Sequence, residues 1–388
     1  MSTERHVLLI VENVSISHDH RLRKQVSALR EAGYRVSVIC RRDPGNRVED
    51  GVRLYDYRAP ADARSKLGYL WEYGYSWVRA AALTLRVYLT DRFDAIQISG
   101  TPDIYFTIGV MFRLLGVRLV LDQRDLTPEL YEMRYGRRDA MHRILLWLEG
   151  RSYRAADQVV TVNDALHDVI CRRGGRTASQ VTVVGNGPVM ASVLGHQPAP
   201  ALKAGKEYLC CWVGLMGPQD GLEPGLRAIA EMPAAVRDEC RFVFIGDGEY
   251  LPVAKSLAAQ LGISDAVWFT GWLDEAQVFD YLATADLGLE PNLEETVSPV
   301  KGQEYMAFGV PFVAFDTAQT HAISGPAACY ARPGDVSEFA NLIAKLLADD
   351  TERARMGRAG RERVERTLSW ENQKLAYLGM YRALLAGE

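Results

Sequence analysis

At 388 residues the chain is too long for one ordinary hydrophobic core, and two domains are expected. Its 48% hydrophobic and 24% charged residues are those of a folded soluble protein, which excludes a disordered or low-complexity chain. The net charge of −4 selects no partner and gives no reason to expect nucleic acid, but the charge is unevenly laid out: 28 basic and 22 acidic residues fall in 1–190, against 17 and 27 in the remainder. A basic first half suits an anionic partner or a membrane surface; ordinary surface variation gives the same count. The six cysteines show no metal-ligand or redox spacing, so a reduced, cytoplasmic location is expected, with the inner membrane face as a variant of it. The apolar run 7–11 has strand length and no cleavage-like site after it, and no run reaches the roughly 20 residues of a membrane span.

In chain order, strands are predicted over 6–11, 35–40, 52–57, 95–98, 118–121, 158–161 and 181–184. Helices are predicted over 22–32, 67–90, 103–115, 141–155 and 165–173. The segment 190–206, with Pro198, Pro200, Gly195 and Gly205, breaks the rhythm and reads as a linker, taken as 191–206. Beyond it strands are expected at 208–213, 241–245, 267–269, 287–289 and 312–315. Helices are expected at 222–232, 250–261, 274–284, 299–308, 336–348, 352–365 and 370–385. Strands alternating with helices imply parallel sheets covered on both faces, hence an α/β protein of two Rossmann-like domains. The predicted domains are 1–190 and 207–370, with a last helix, 371–388, packing back on the first. Ligands in such folds bind beyond the C-terminal ends of strands, in a cleft lined by the loops of both halves.

The segment 290–315, EPNLEETVSPVKGQEYMAFGVPFVAF, carries most chemistry. Ser298 is a good N-cap and Pro299 suits a first helical position; Gly309 suits the left-handed residue after the helix. Amides at a helix start, the helix dipole and Lys301 in the first turn form an anion site. Lys301 and Glu304, three apart, share a face and suit a diphosphate joined to a ribose; a surface Lys–Glu pair has the same spacing.

SPVKGQEYMAFGVPFVAFD resembles the donor-binding segment of family 4 retaining glycosyltransferases, which have the two-domain GT-B fold. The resemblance covers nearly the whole chain and is strongest over 209–370. It implies that Glu304 binds the nucleotide ribose. Val297, Ser298, Pro299, Val300 and Lys301 then hold the donor phosphates and sugar. Thr296 stands where the usual first Glu contacts the donor sugar, and this departure matches a subgroup with Lys three residues before the second Glu. Glu294 and Glu295 are the alternatives for the missing carboxylate. The loop 214–221, GLMGPQDG, is similar to the family's phosphate loop and brings in Gly214, Met216, Gly217 and Gln219. Its usual Arg and Lys are replaced by Leu215 and Asp220, so phosphate neutralisation falls to Lys301, backbone amides and Arg124. Gly246 and the turn Thr270, Gly271 and Trp272 correspond to the nucleotide side of the site. Trp272 either stacks on the base or fills the domain edge.

In the first half, LDQRDL at 121–126 has Arg124 where relatives often carry His. Arg124 and Asp125 enter as candidate catalytic residues with Lys301; a salt bridge of Arg124 with Asp122 or Asp125 is the structural alternative. The opening loop 12–21, with Ser17, His18, Asp19, His20 and Arg21, resembles the family's acceptor-side loop. The aromatic run Tyr69, Trp71, Tyr73, Tyr75, Trp77 and Tyr88, with Lys66, Arg79 and Arg86, suits either a membrane interface or buried packing.

The resemblance thus implies a retaining glycosyl transfer from a UDP- or GDP-sugar to a hydroxyl acceptor, anionic or lipid-linked. Such acceptors belong to cell-surface polysaccharide, glycolipid or secondary-metabolite glycosylation. The leaving diphosphate takes the acceptor's proton, no cofactor is needed, and no Asp-x-Asp pair offers a metal bridge. A nucleotide-sugar epimerase and a non-catalytic sugar-nucleotide sensor are the alternative readings.

Overall fold

A computed structural model describes residues 4–12, 14–60, 66–100, 103–295 and 298–386. The chain divides into two compact units, Met1–Gly185 with Gln373–Glu388, and Asn186–Asn372. The first is built on strands β1 (His6–Val11), β2 (Arg35–Arg41), β3 (Val52–Tyr57), β4 (Ala95–Ser99), β5 (Arg118–Gln123), β6 (Gln158–Thr161) and β7 (Val181–Val183). They form one parallel sheet in the order β3-β2-β1-β4-β5-β6-β7, with Leu9 of β1 opposite Val38 on one side and Gln97 on the other. Every residue of β1 is buried, because helices cover both faces of the sheet; an unbroken apolar run follows from that burial. The helices are α1 (His20–Glu31), α2 (Lys66–Thr90), α3 (Phe106–Arg113), α4 (Thr127–Tyr135), α5 (Ala140–Ala155) and α6 (Asp164–Gly174). Helix α4 was not expected: TPELYEMRY shows little periodicity, and the helix is set by Pro128 in its first turn and Gly136 in the left-handed conformation after it.

In the second unit, β8 (Tyr208–Val213), β9 (Cys240–Ile245), β10 (Val267–Gly271), β11 (Leu287–Glu290), β12 (Phe312–Phe315) and β13 (Ala328–Ala331) form a second parallel sheet, ordered β10-β9-β8-β11-β12-β13. Its helices are α7 (Met190–Val193), α8 (Leu222–Glu231), α9 (Ala234–Asp238), α10 (Leu251–Gln260), α11 (Glu275–Thr284), α12 (Val300–Ala307), α13 (Ala318–Ser324), α14 (Val336–Leu347) and α15 (Asp350–Arg363). Strand β13, ACYA, escaped the sequence reading because four small or mixed residues carry no strand signature; pairing along β12 makes it a strand.

The linker expectation needs correction. The boundary falls between Gly185 and Asn186, and 191–206 is packed on the second unit. His196 Nδ1 lies 2.8 Å from Asp280, Lys203 makes a 2.7 Å ion pair with Asp286, and Ala199 N donates to Thr284 Oγ1 at 2.8 Å. Proline and glycine stop regular structure there without freeing the backbone. The last helix, α16 (Trp370–Leu385), crosses the other boundary at Gln373. Its Tyr377 and Tyr381 hydroxyls both donate to Gln97 Oε1, at 2.8 and 2.9 Å, so its C-terminal part is buried in the first unit.

One buried group in the first unit carries a pH prediction. Glu149 is wholly buried, accepts from Arg173 at 2.6 Å, and keeps Oε1 without a partner. Burial pushes its carboxyl up to about 7, against the opposing pull of Arg173. The folded state therefore holds a proton that the unfolded chain has released. Stability falls as pH rises from about 4.5 to about 7, by roughly 3 kcal/mol, and is level above. Glu149→Gln is expected to remove that slope in urea unfolding between about pH 5 and about pH 8; an unchanged slope refutes the assignment.

Candidate active site

Each sheet reverses its strand order once, between β1 and β4 and between β8 and β11, which is where open parallel sheets leave a crevice. In the second unit the turns leaving β8, β9 and β10 are joined through their backbones. Gly214 N donates to Ile245 O (3.0 Å), Met216 N to Asp247 O (2.9 Å) and Gly246 N to Gly271 O (3.1 Å). Gly246 lies at φ +134°, and a Cβ there would stand 1.9 Å from Gly214 O, so only glycine permits this approach.

Past Gly214 the loop closes on itself, with Gly217 N donating to Asp220 Oδ2 at 3.0 Å. Burial raises the Asp220 carboxyl above its usual range, and the nearby Lys301 cation pulls it back. The Met216 side chain belongs wholly to the core, and its backbone is engaged as well, the N–H donating to Asp247 O and the carbonyl accepting from Tyr250 N; Gln219 and Leu215 are exposed. The Thr270 hydroxyl donates to Gly271 O at 2.8 Å, and Trp272 stands out in solvent, 63% exposed, rather than filling the edge.

The helix expected to start at Pro299 with Ser298 as its cap begins one residue later, at Val300, with Pro299 as its cap. Proline fixes φ at −74° here while ψ is 77°, so regular helix starts only after it. Ser298 is buried, and its carbonyl accepts from Val300 N at 2.8 Å. Gly309 follows the helix at φ +69°, as predicted. Helix α12 is seated by Tyr305, whose hydroxyl donates to Leu289 O at 3.1 Å, over Gly288, where a Cβ would come within 2.4 Å of the ring. That seating leaves Lys301 and Glu304 partly exposed. Thr296 and Val297 lie outside the described residues. Of the two alternative carboxylates, Glu295 is held by Ala318 N at 2.9 Å, while Glu294 is partly buried and pushed above its usual range by burial and by Glu295.

Lys301 is held from three sides. Its Nζ lies 3.4 Å from Glu290 Oε1 and 5.2 Å from the centre of the Trp212 ring, and its Cε would touch a Cβ at Gly214. Glu290, the last residue of β11, is 2% exposed and keeps Oε2 without a partner; Trp212 Nε1 is likewise buried and unpaired. A fixed ammonium beside glycine turns and a helix start can bind an anion, and among the described residues nothing in this cluster is arranged as a nucleophile with its base.

In the first unit the predicted residues separate. Arg21, expected in the opening loop, lies in the first turn of α1, is buried and donates to Asp122 (2.9 Å) and to Val184 O (2.7 Å), so it faces inward. Arg124 donates to Asp19 at 2.6 Å and to Asp122 at 3.0 Å, which is the structural alternative for it; its Nη2 stays buried without a partner. The alternative partner Asp125 is exposed. Asp19 also caps α1, accepting from Leu22 N at 2.8 Å. Ser17 bonds Asp43 (3.2 Å), and Ser15 and Ser17 both lie within 3.0 Å of His18 Nδ1. His20 is exposed beside Arg23.

Residues 19–187 match the family model described as "Glycosyl transferase 4-like domain", and residues 207–349 the one described as "Glycosyl transferases group 1". Together they span most of the chain. The chain belongs to the glycosyltransferases. It is similar to the 2-deoxystreptamine glucosyltransferase of Streptomyces kanamyceticus, 25% identical over 354 residues, 86% of this chain and 90% of that one. The MMP alpha-(1->4)-mannosyltransferase of Mycolicibacterium hassiacum is 32% identical over 135 residues, 34% of this chain and 33% of that protein. Among solved structures, sucrose-phosphate synthase from Thermosynechococcus elongatus matches with a TM-score of 0.82 at 19% identity, over 99% of this chain and 100% of that one. The Anabaena protein HepE in complex with UDP-glucose matches at 0.73 and 15%, over 97% and 99%. These likenesses show the fold, GT-B.

Sequence reasoning on this glycosyltransferase missed Glu290 and Trp212. The available signal was a lone carboxylate ending an apolar strand, eleven residues before Lys301. It also missed Gln25 and Gln97, which tie Asp122 to α16: Gln25 Nε2 donates to Asp122 Oδ2 (3.1 Å) and Gln97 Nε2 to Gln25 Oε1 (2.9 Å).

Proposed function

We propose that this glycosyltransferase moves a sugar from a UDP- or GDP-linked donor to a hydroxyl acceptor with retention of configuration and without a metal. The observation that carries the reading is the Lys301 ammonium fixed by Glu290 and Trp212 beside the Gly214 and Gly246 turns. In this reading the donor diphosphate displaces no protein group: it approaches Lys301 from the side opposite Glu290 and meets the first-turn amides of α12. Lys301 then stabilises the charge that grows on the diphosphate as the glycosidic bond breaks. The leaving phosphate oxygen accepts the acceptor's proton, so no separate base is required. Glu304, one turn along α12, binds the ribose. HepE with UDP-glucose supports a nucleotide-sugar donor, and the resemblance to retaining enzymes supports the stereochemistry. The acceptor belongs to a polyhydroxylated small molecule or a lipid-linked glycan.

The test is a thermal-shift panel of UDP-, GDP- and TDP-sugars, since specific binding raises apparent stability. One of the first two is expected to shift the second unit's transition, and Glu304→Ala to weaken that ligand roughly ten- to a hundredfold, the effect of losing a charge-assisted bond. Unchanged affinity in Glu304→Ala sinks the ribose assignment. No shift with any of the sugars sinks the donor reading. Anomeric configuration of the product, read by NMR, decides retention.

A further inference from the structure

Helix α2 presents an apolar line to solvent. Trp71, Val78 and Leu85 are spaced by seven and Leu89 follows by four, so all four share one side of the helix over about 27 Å. They are 68, 58, 51 and 75% exposed. The opposite side, with Ser76, Ala80, Thr84 and Val87, is buried. Tyr75, Trp77 and Tyr88 pack against the core, which is the buried packing offered for the aromatic run, while Trp71 is exposed. Arg79 and Arg86 flank the exposed line. The one acidic residue of the helix, Glu72, is 6% exposed and ion-paired to Arg41 at 2.8 Å.

At the C-terminal end of α2 the line meets a cavity of about 370 Å³ at the strand N-terminal edge of the sheet, the end opposite β1's exit into the predicted acceptor loop. Arg5, Arg92 and Arg118 line it with Tyr88, Phe93 and Leu115. Arg5 is engaged by Asp94 at 2.7 Å. Arg92 lies over the Tyr88 ring at 5.7 Å, and neither it nor Arg118 has a carboxylate partner among the described residues. Beside the cavity Leu114 and Leu115 are 88 and 58% exposed.

We propose that this face docks on an anionic phospholipid bilayer, with the α2 line and Leu114 in the interface and a lipid phosphate at Arg92 and Arg118. Charge decides the occupant: among the described side chains of α2, Arg79 and Arg86 are the exposed charges beside the apolar line, and of the three arginines lining the cavity only Arg5 is matched by its one carboxylate, Asp94. The helix lies on the membrane and does not cross it, because among the described residues no helix is long and apolar enough to span. The proposal does not depend on the sugar-transfer reading.

The full chain is to be sedimented with vesicles of phosphatidylcholine alone and with phosphatidylglycerol added. Binding is expected to the mixed vesicles only. Leu85→Ser with Leu89→Ser should lower it at least tenfold, as burial of two leucines is lost. Arg92→Gln with Arg118→Gln should cost roughly fivefold per arginine. These positions are exposed, and an unchanged melting temperature confirms that the variants fold. Absence of binding by the unaltered chain, equal binding to neutral vesicles, or variants that bind undiminished each overturn the proposal. So does a dimer, read by light scattering, that the leucine variant abolishes. UDP-sugar thermal shifts in the same variants should stay unchanged, and Lys301→Ala should still bind vesicles, which separates this face from the donor site.

Discussion

Replacing Lys301 by alanine is expected to lower sugar transfer about 10²- to 10³-fold, the effect of removing one preorganised group that stabilises transition-state charge. Leu215 and Asp220 stand where the resemblance expects the phosphate loop's basic pair, so the positive charge expected there falls to Lys301, on α12 beside Gly214. Removing it also strands Glu290, 2% exposed, as an uncompensated buried charge 3.4 Å from the vacated position. That alone costs roughly 3–5 kcal/mol of stability and would mimic a catalytic defect. The informative comparison is therefore Lys301→Ala with Glu290→Gln against Glu290→Gln alone. The neutral amide removes the stranded charge, so the pair should melt near the single variant while transferring about 10²-fold more slowly. Equal kcat/KM in the two proteins would show that Lys301 serves only to satisfy Glu290.

Asp122→Ala should destabilise the first unit by about 3–5 kcal/mol, because it leaves Arg21 and Arg124 buried without their shared counter-charge. Asp122 is fully buried, takes bonds from Arg21, Arg124 and Gln25, and through Gln25 and Gln97 reaches Tyr377 and Tyr381 of α16. Burial by itself raises its carboxyl, but the two guanidiniums overcome that and hold it down at about 2. A carboxyl depressed on folding contributes stability that is full above its unfolded value near 4 and is lost as pH falls through about 2. The contribution is about 2 kcal/mol. Urea unfolding followed at about pH 7 and about pH 3 should show the difference between the unaltered chain and Asp122→Ala shrinking at the lower pH. A difference that grows, or that is absent at neutral pH, contradicts the network.

Much of the architecture was legible because it rests on local rules. The apolar runs 7–11 and 209–213, fully buried in the fold, announce interior parallel strands, and Gly309 ends α12 for a conformational reason that one residue carries. The elements that were not legible owe their form to neighbours. Strand β13 has no intrinsic signature and forms along β12; α4 is weakly amphipathic; and 191–206, rich in breakers, is fastened by Asp280, Thr284 and Asp286, all distant in the chain.

The candidate site divides the same way. Spacing placed Lys301 and Glu304 on one helical turn, and chain chemistry made that turn an anion site, since both depend only on residues close in sequence. Whether Lys301 is fixed was a matter of packing. Glu290 and Trp212 come from two neighbouring strands, and only the β8–β11 pairing brings a buried carboxylate and a ring face to the same ammonium. The fate of Arg124 was decided likewise, by Asp19 from 105 residues earlier as well as by Asp122 beside it. Charge and periodicity along a chain specify what a side chain can do, while burial and partners from remote segments determine which of those capacities it keeps.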